Sequence, residues 1–289
     1  MKRKKLPVLL AALLLLSGCG KTVQNPKPVP TVDPYAGMVQ ADSGYGMKIW
    51  VKEYDDVPVN PLRAVNLSQE GDVTDENGVR YELRRGIDVS EHQGAIDWDA
   101  VAENAPDFVI IRAGYRGYGE AGRLCEDAFF RDNVDGALRT GIPVGLYFFS
   151  QAITPEEAEE EAEFLLRQLE PYAPEDLALP VFFDWEDIDF DEARTNGLDG
   201  ETLTDCAAAF CRRMEQAGYT AGVYTYRTLG YFRYDLSRLT DFPLWFAGLG
   251  NCPDFYYAFD LWQYSTVGEI PGIEGPVDMD MIFVPADGE

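Results

Sequence analysis

Two acids two residues apart, Asp184 and Glu186, close the apolar run Leu179-Pro180-Val181-Phe182-Phe183. In an extended strand residues two apart share a face, so Phe182, Asp184 and Glu186 point one way and Val181, Phe183 and Trp185 the other. Their Cα atoms would lie ~6.6 Å apart. Carboxyls at the end of a buried strand serve stability poorly. A buried or crowded carboxylic acid holds its proton more tightly, however, and so suits protonation of a leaving oxygen, as cleavage of a glycosidic bond requires. The spacing allows both the close pair of a retaining enzyme and the wider pair of an inverting one, so it does not decide the stereochemistry. Further acids stand at Asp88, within Gly86-Ile87-Asp88-Val89-Ser90, and at Asp278 and Asp280 in the last apolar run.

Aromatic residues fall near the same strand ends: Tyr115, Tyr147, Phe149, Tyr224, Tyr226, Trp262 and Tyr264. Their rings suit the apolar faces of sugars and their polar tips suit hydroxyls, although each serves equally well as core.

Other chemistries compete. Asp88, Asp184, Glu186, Asp278 and Asp280 are oxygen ligands of the kind Mg²⁺ or Ca²⁺ takes, which makes a metal-dependent hydrolase the second reading. A non-catalytic glycan-binding protein is the third, and it has no need of these acids. Zinc is not expected, because His92 is the single histidine and no cysteine pair has ligand spacing. Neither metal nor cofactor is assigned. Gly117-Tyr118-Gly119-Glu120-Ala121-Gly122 matches a dinucleotide-binding pattern, but Arg123-Leu124-Cys125 separates it from the next helix, against nucleotide binding. His92 lies close to Asp88 but lacks a G-x-S-x-G elbow for a triad, so its expected role is structural or substrate-contacting.

Strands that alternate with helices must position these residues. Strands are predicted at 86–90, 108–115, 144–150, 179–186, 221–226, 244–249, 260–265 and 277–283. Thr154-Pro155-Glu156-Glu157 reads as a capping box that opens a helix with Ala158, Ala162, Leu165, Leu166 and Leu169 on one face. A second helix carries Leu203, Ala207, Phe210 and Met214 and stops at Gly218. No helical period separates the last strands. The expected fold is therefore α/β, an irregular TIM-like barrel of about five β/α units followed by three strands. Active sites of such barrels lie at the carboxyl ends of the strands. Asp278 begins its strand, so that strand must enter from the catalytic rim and run down from it.

The barrel is assigned to residues 85–289. A small β-rich segment, 36–84, precedes it, with a strand at 47–54 and a hairpin turn at Asn77-Gly78. Residues 19–35 read as a Pro-rich linker with Pro26, Pro28, Pro30 and Pro34. Lys2, Arg3, Lys4 and Lys5 precede an apolar run of residues 8–16, too short to span a bilayer core of ~30 Å. Residues 1–18 are thus expected to be a signal peptide. Leu16-Ser17-Gly18-Cys19 resembles a bacterial lipobox, which would lipidate Cys19 and anchor an exported protein to the outer face of the cytoplasmic membrane. The formal net charge is −26, becoming −30 without the four basic residues near the start, so no nucleic-acid partner is expected. Cys206 and Cys211 lie too far apart on one helix for a disulfide, whereas a Cys125–Cys252 bridge is left open. A monomer is expected.

Several spaced motifs in order resemble the glycoside hydrolase family 25 lysozymes, the N-acetylmuramidases. They are Gly86-Ile87-Asp88-Val89-Ser90 with His92-Gln93-Gly94, Ile96-Asp97-Trp98, Phe108-Val109-Ile110-Ile111-Arg112-Ala113, Asp184-x-Glu186, Trp262-Gln263-Tyr264-Ser265 and Val277-Asp278. The resemblance covers about 200 residues and implies hydrolysis of the β-1,4 bond after N-acetylmuramic acid in the glycan strands of peptidoglycan. It implies catalytic roles for Asp88, Asp184, Glu186 and Asp278, with Glu186 as the acid. With an N-acetylated substrate it also points to a substrate-assisted, retaining route in which Asp184 stays ionised and its charge raises the pKa of Glu186. Tyr115, Tyr147, Phe149, Tyr224, Trp262, Tyr264 and Asp280 are the expected substrate-binding residues. Two departures stand out. Asp280 occupies a position where the family commonly has asparagine, and Gly248-Leu249-Gly250 lacks an expected aromatic residue.

Overall fold

A computed structural model describes residues 33–68, 73–104 and 106–286. The expected signal peptide, Cys19 and all of the expected linker before Asp33 lie outside the described residues. The chain divides into two units, residues 1–36 and 37–289. Of the first, only a turn at 33–36 is described, in which the Tyr35 amide donates to Asp33 Oδ1 at 2.9 Å.

The second unit opens with an antiparallel hairpin of β1 (Met38–Asp42) and β2 (Lys48–Lys52). Ala41 and Val51 are its buried residues, and both join the main core. A second hairpin joins β3 (Val73–Thr74) to β4 (Arg80–Val89). Asn77-Gly78 makes its turn as expected, with Gly78 at φ +84° and Asp75 Oδ1 accepting from the Asn77 and Val79 amides. The expected boundary between residues 84 and 85 falls inside β4, which runs through it into the barrel.

Then follow α1 (Trp98–Glu103), β5 (Phe108–Arg116), β6 (Leu124–Glu126), α2 (Phe130–Thr140), β7 (Val144–Ser150) and α3 (Pro155–Gln168). After these come β8 (Leu177–Trp185), α4 (Gly200–Gln216), β9 (Ala221–Tyr226), α5 (Arg227–Phe232), β10 (Leu244–Ala247), β11 (Leu261–Gly268) and β12 (Val277–Pro285). Strands β4, β5, β7, β8, β9, β10, β11 and β12 pair in a ring that closes between β12 and β4, with β3 and β6 outside it. All neighbours in the ring are parallel except at β12, which runs antiparallel to both β11 and β4. Five β/α units and three final strands match the expected irregular barrel.

Alternation along the strands builds two apolar layers. Phe108, Ile110, Tyr147, Phe182, Tyr224, Trp245 and Leu261 fill the barrel. Val109, Ile111, Phe148, Val181, Phe183, Trp185 and Phe246 face the helices. The interior is tight: a Cβ on Gly86 would come within 2.2 Å of the Phe108 ring, so glycine is required where that ring crosses. Helix α3 starts at Thr154, whose side chain accepts from the Glu157 amide, and buries Ala158, Ala162 and Leu165. The expected capping box is only half formed. The Glu157 carboxylate turns to the Ile153 amide and Arg194 instead of the Thr154 amide. Helix α4 is capped by Asp199 and gives way at Ala217-Gly218, where Gly218 has φ +95°. Cys125, Cys206, Cys211 and Cys252 are free thiols.

Candidate active site

The five parallel β/α units end at one rim, and the reversed β12 begins there. Its register sets Asp278 directly opposite Asp88. Gln263, on the neighbouring β11, donates Nε2 to Asp88 Oδ2 at 2.8 Å and to Asp278 Oδ2 at 3.4 Å. The Tyr224 hydroxyl donates to Gln263 Oε1 at 3.2 Å, which fixes the amide with its donors towards the acids. One layer deeper, Trp245 Nε1 donates to Asp280 Oδ1 at 2.9 Å, and its ring packs edge-on to Tyr147 and Tyr224.

Asp184 reaches the same rim from β8, beside Phe149 of β7. It is buried, and its Oδ1 has no hydrogen-bond partner. Glu186 follows the last strand residue and is only half-buried. Its carbonyl accepts from Gln151 Nε2 at 3.1 Å, while Gln151 Oε1 accepts from the Thr195 hydroxyl. The nearby cation is Arg112, buried at the inner face of β5. It pairs with Asp127 at 2.7 Å and Glu91 at 3.0 Å.

This crowding governs the protons. Burial raises all of the rim carboxyls, because removing water disfavours the charged form. Asp88 is pushed up to about 7, by burial first and then by the Asp278 charge. Burial, then the charges of Glu186 and Asp88, raise Asp184 well above the usual carboxylate range, with Arg112 opposing. Glu186 is raised by burial and by Asp278. Asp184 and Glu186 each disfavour the other's charge, and Asp278 adds a further negative charge beside Glu186.

The sequence-derived acids Asp88, Asp184, Glu186 and Asp278 come together. Tyr147 and Tyr224 line the barrel beneath them, and Phe149 stands half-buried on the same face as Tyr147. Tyr115 is half-buried at the end of β5, with the Arg112 guanidinium 5.4 Å from its ring centre. Tyr226, at the rim end of β9, donates its hydroxyl to Asp187. Trp262 and Tyr264 do not face the site. Period-two alternation gives the interior position to Gln263 between them, and Trp262 is fully buried in the outer layer, stacked on Phe283 6.1 Å away. Tyr264 packs 5.5 Å from Trp262. Asp280 is inside the barrel but 0% exposed, so it offers no surface to a sugar. His92 lies exposed on a 3₁₀ turn after β4. The glycine-rich segment after β5 leads into β6, not a helix, which removes the nucleotide-binding geometry. Among the described residues no group of three or more His, Cys, Asp or Glu side chains is arranged to hold a metal ion.

Sequence reasoning did not assign Arg112, Gln151, Trp245 or Gln263 to the site. Arg112 carried a signal, a charge directly after the apolar run 108–111. Gln263 carried one too, a polar residue between two aromatics on a strand.

Clustered carboxyls at the mouth of a closed, largely parallel barrel define a barrel hydrolase site. The chain belongs to the glycosyl hydrolases family 25, whose model matches residues 87–273. It is 28% identical over 198 residues to an autolytic lysozyme of Clostridium acetobutylicum, covering 68% of this chain and 55% of that protein. It is 26% identical over 202 residues to lysozyme M1 of Streptomyces globisporus, covering 67% of this chain and 66% of the relative. The solved modular autolysin LytC of Streptococcus pneumoniae, in complex with a synthetic peptidoglycan ligand, superposes with TM-score 0.60 at 26% identity. The match covers 85% of this chain and 56% of that one. The chain thus spans between about half and two thirds of these relatives.

Proposed function

We propose that this protein is an N-acetylmuramidase, hydrolysing the β-1,4 bond between N-acetylmuramic acid and N-acetylglucosamine in peptidoglycan. The observation that carries the reading is a partly exposed Glu186 beside a buried Asp184 at the rim of a family 25 barrel. Glu186 reaches solvent and holds its proton above the ordinary range, as a general acid must. It protonates the glycosidic oxygen as the bond to the anomeric carbon breaks. The acetamide oxygen of the same sugar attacks that carbon and forms a cyclic oxazolinium. Water then opens it, giving its proton to the Glu186 carboxylate, and configuration is retained. Asp184 Oδ1, without a donor in the protein, is suited to accept the acetamide N–H. Asp184 must be ionised for this role, against the rise that burial and the Glu186 charge impose on it in the free protein, and in that form it also stabilises the positive charge. Asp88 and Asp278, held by Gln263, face the same sugar.

The test is incubation with purified peptidoglycan and mass spectrometry of the new reducing ends. Muramic acid is the expected reducing sugar, and glucosamine there would contradict the bond assignment. The lipobox further supports a proposal that Cys19 is lipidated and holds the exported protein at the outer face of the cytoplasmic membrane, where its glycan substrate lies.

A further inference from the structure

Asp280 lies deeper than the other acids and is 0% exposed. It occupies the interior face of β12, opposite Gly86 on β4 and Gln263 on β11. Asp88, the next inward residue of β4, is its neighbour on that face. One carboxyl oxygen, Oδ1, accepts the Trp245 indole N–H at 2.9 Å. The other, Oδ2, is buried and receives no N–H or O–H from another group. The Asp280 carboxyl as a whole lies within hydrogen-bond reach of the Asp88 carboxyl. Two ionised carboxylates are acceptors only and cannot bond to each other; one proton between them makes the contact favourable.

The surroundings place that proton on Asp280. The titratable groups that face it are Asp88 on β4, Asp278 on its own strand and Tyr224 on β9, while Tyr264 on β11 feels its charge from the outer layer. Among the described residues no cation pairs with it. Asp88 is nearer the rim and already accepts a hydrogen bond from Gln263. Burial, then the Asp88 charge, push Asp280 well above the carboxylate range.

We propose that Asp280 is a neutral carboxylic acid that donates a hydrogen bond to Asp88, acting as a positioning residue beneath the rim acids. A carboxylic acid held neutral by an apolar site is a good donor at neutral pH. Here it removes one negative charge from beneath a crowded site and, with Gln263, holds Asp88 between two donors. Only the consequence for turnover rests on the muramidase reading. The protonation state stands apart from it.

The test uses protein labelled with ¹³C at the aspartate side-chain carboxyl, with Asp280→Asn assigning the Asp280 signal by its disappearance. The Asp280 signal should stay at its protonated position through neutral pH, while exposed aspartates ionise near pH ~4. A signal that ionises together with the exposed aspartates overturns the proposal. The Asp88 signal supplies a second readout without substrate. Its midpoint should lie higher in Asp280→Val, which has no donor, than in Asp280→Asn, whose amide replaces the hydroxyl. Equal midpoints overturn the positioning role. On peptidoglycan, Asp280→Asn should turn over about tenfold faster than Asp280→Val, because only the amide donates. Equal rates in the two variants count against the proposal. A wild type inactive on peptidoglycan overturns the muramidase reading alone, since the carboxyl signals still decide this one. If Asp280→Val does not fold, the wild-type titration decides.

Discussion

Asp278, at the head of the one reversed strand, faces Asp88, near the tail of the first barrel strand, and a single Gln263 amide bonds to both. Two carboxyls can face each other only if something offsets their repulsion. Here it is an N–H₂ group pinned by the Tyr224 hydroxyl. Replacing Gln263 with Leu removes both donors and strands the hydroxyl. We expect turnover to fall about tenfold or more and stability to fall by about 1–3 kcal/mol, read by peptidoglycan hydrolysis and urea unfolding. Unchanged kcat would show that the bridge does not serve the reaction.

Phe149 and Trp262 separate a substrate surface from a core. Trp262→Ala should cost about 3–5 kcal/mol, as expected for a fully buried aromatic. The folded fraction of that variant should keep its KM. Phe149→Ala should instead raise KM with little loss of Tm. The reverse pattern would contradict the assignment of the two faces.

Proton linkage gives a stability prediction with a definite sign. Asp88 and Glu161 are both raised to about 7, Asp88 by burial and then Asp278, Glu161 by burial despite its pairing with Arg116. Between the ordinary carboxylate range and about pH 7 the folded state binds more protons than the unfolded, so stability falls as pH rises. It flattens above the folded pKa. The slope is up to about 1.4 kcal/mol per pH unit for each such group. Chemical denaturation across this interval measures it directly, and stability that climbed with pH would count against the buried cluster.

Membrane anchoring has its own test. Cys19→Ser should release the protein from the membrane fraction or block its processing. A variant still processed and membrane-bound after a high-salt wash would rule out the lipid anchor.

The barrel was legible because its determinants are local. Apolar runs end in acids, the Thr154 cap opens a helix, and a Gly/Pro-rich stretch stands where a crossover helix would otherwise be. The reversal of β12 followed from Asp278 standing at the start of its strand. Side-chain facing was less legible. Trp262-Gln263-Tyr264 offers two aromatics to a reader looking for sugar platforms, yet the strand can turn only alternate residues inward, and β4 and β12 needed the amide. Arg112, Gln151 and Trp245 act through partners on other strands or loops, at Asp127, Thr195 and Asp280, and such long-range pairings leave no mark on local sequence.

Glu186→Gln tests the account most directly. The change removes the proton donor with almost no change in volume, so the variant should fold, bind glycan strands and release no muramic reducing ends, with or without EDTA. Asp184→Asn should also lose turnover and shift the acidic limb of any residual pH–rate profile. Substantial hydrolysis by Glu186→Gln, or wild-type hydrolysis abolished by EDTA and restored by Mg²⁺, would contradict the account and favour a metal-dependent reaction.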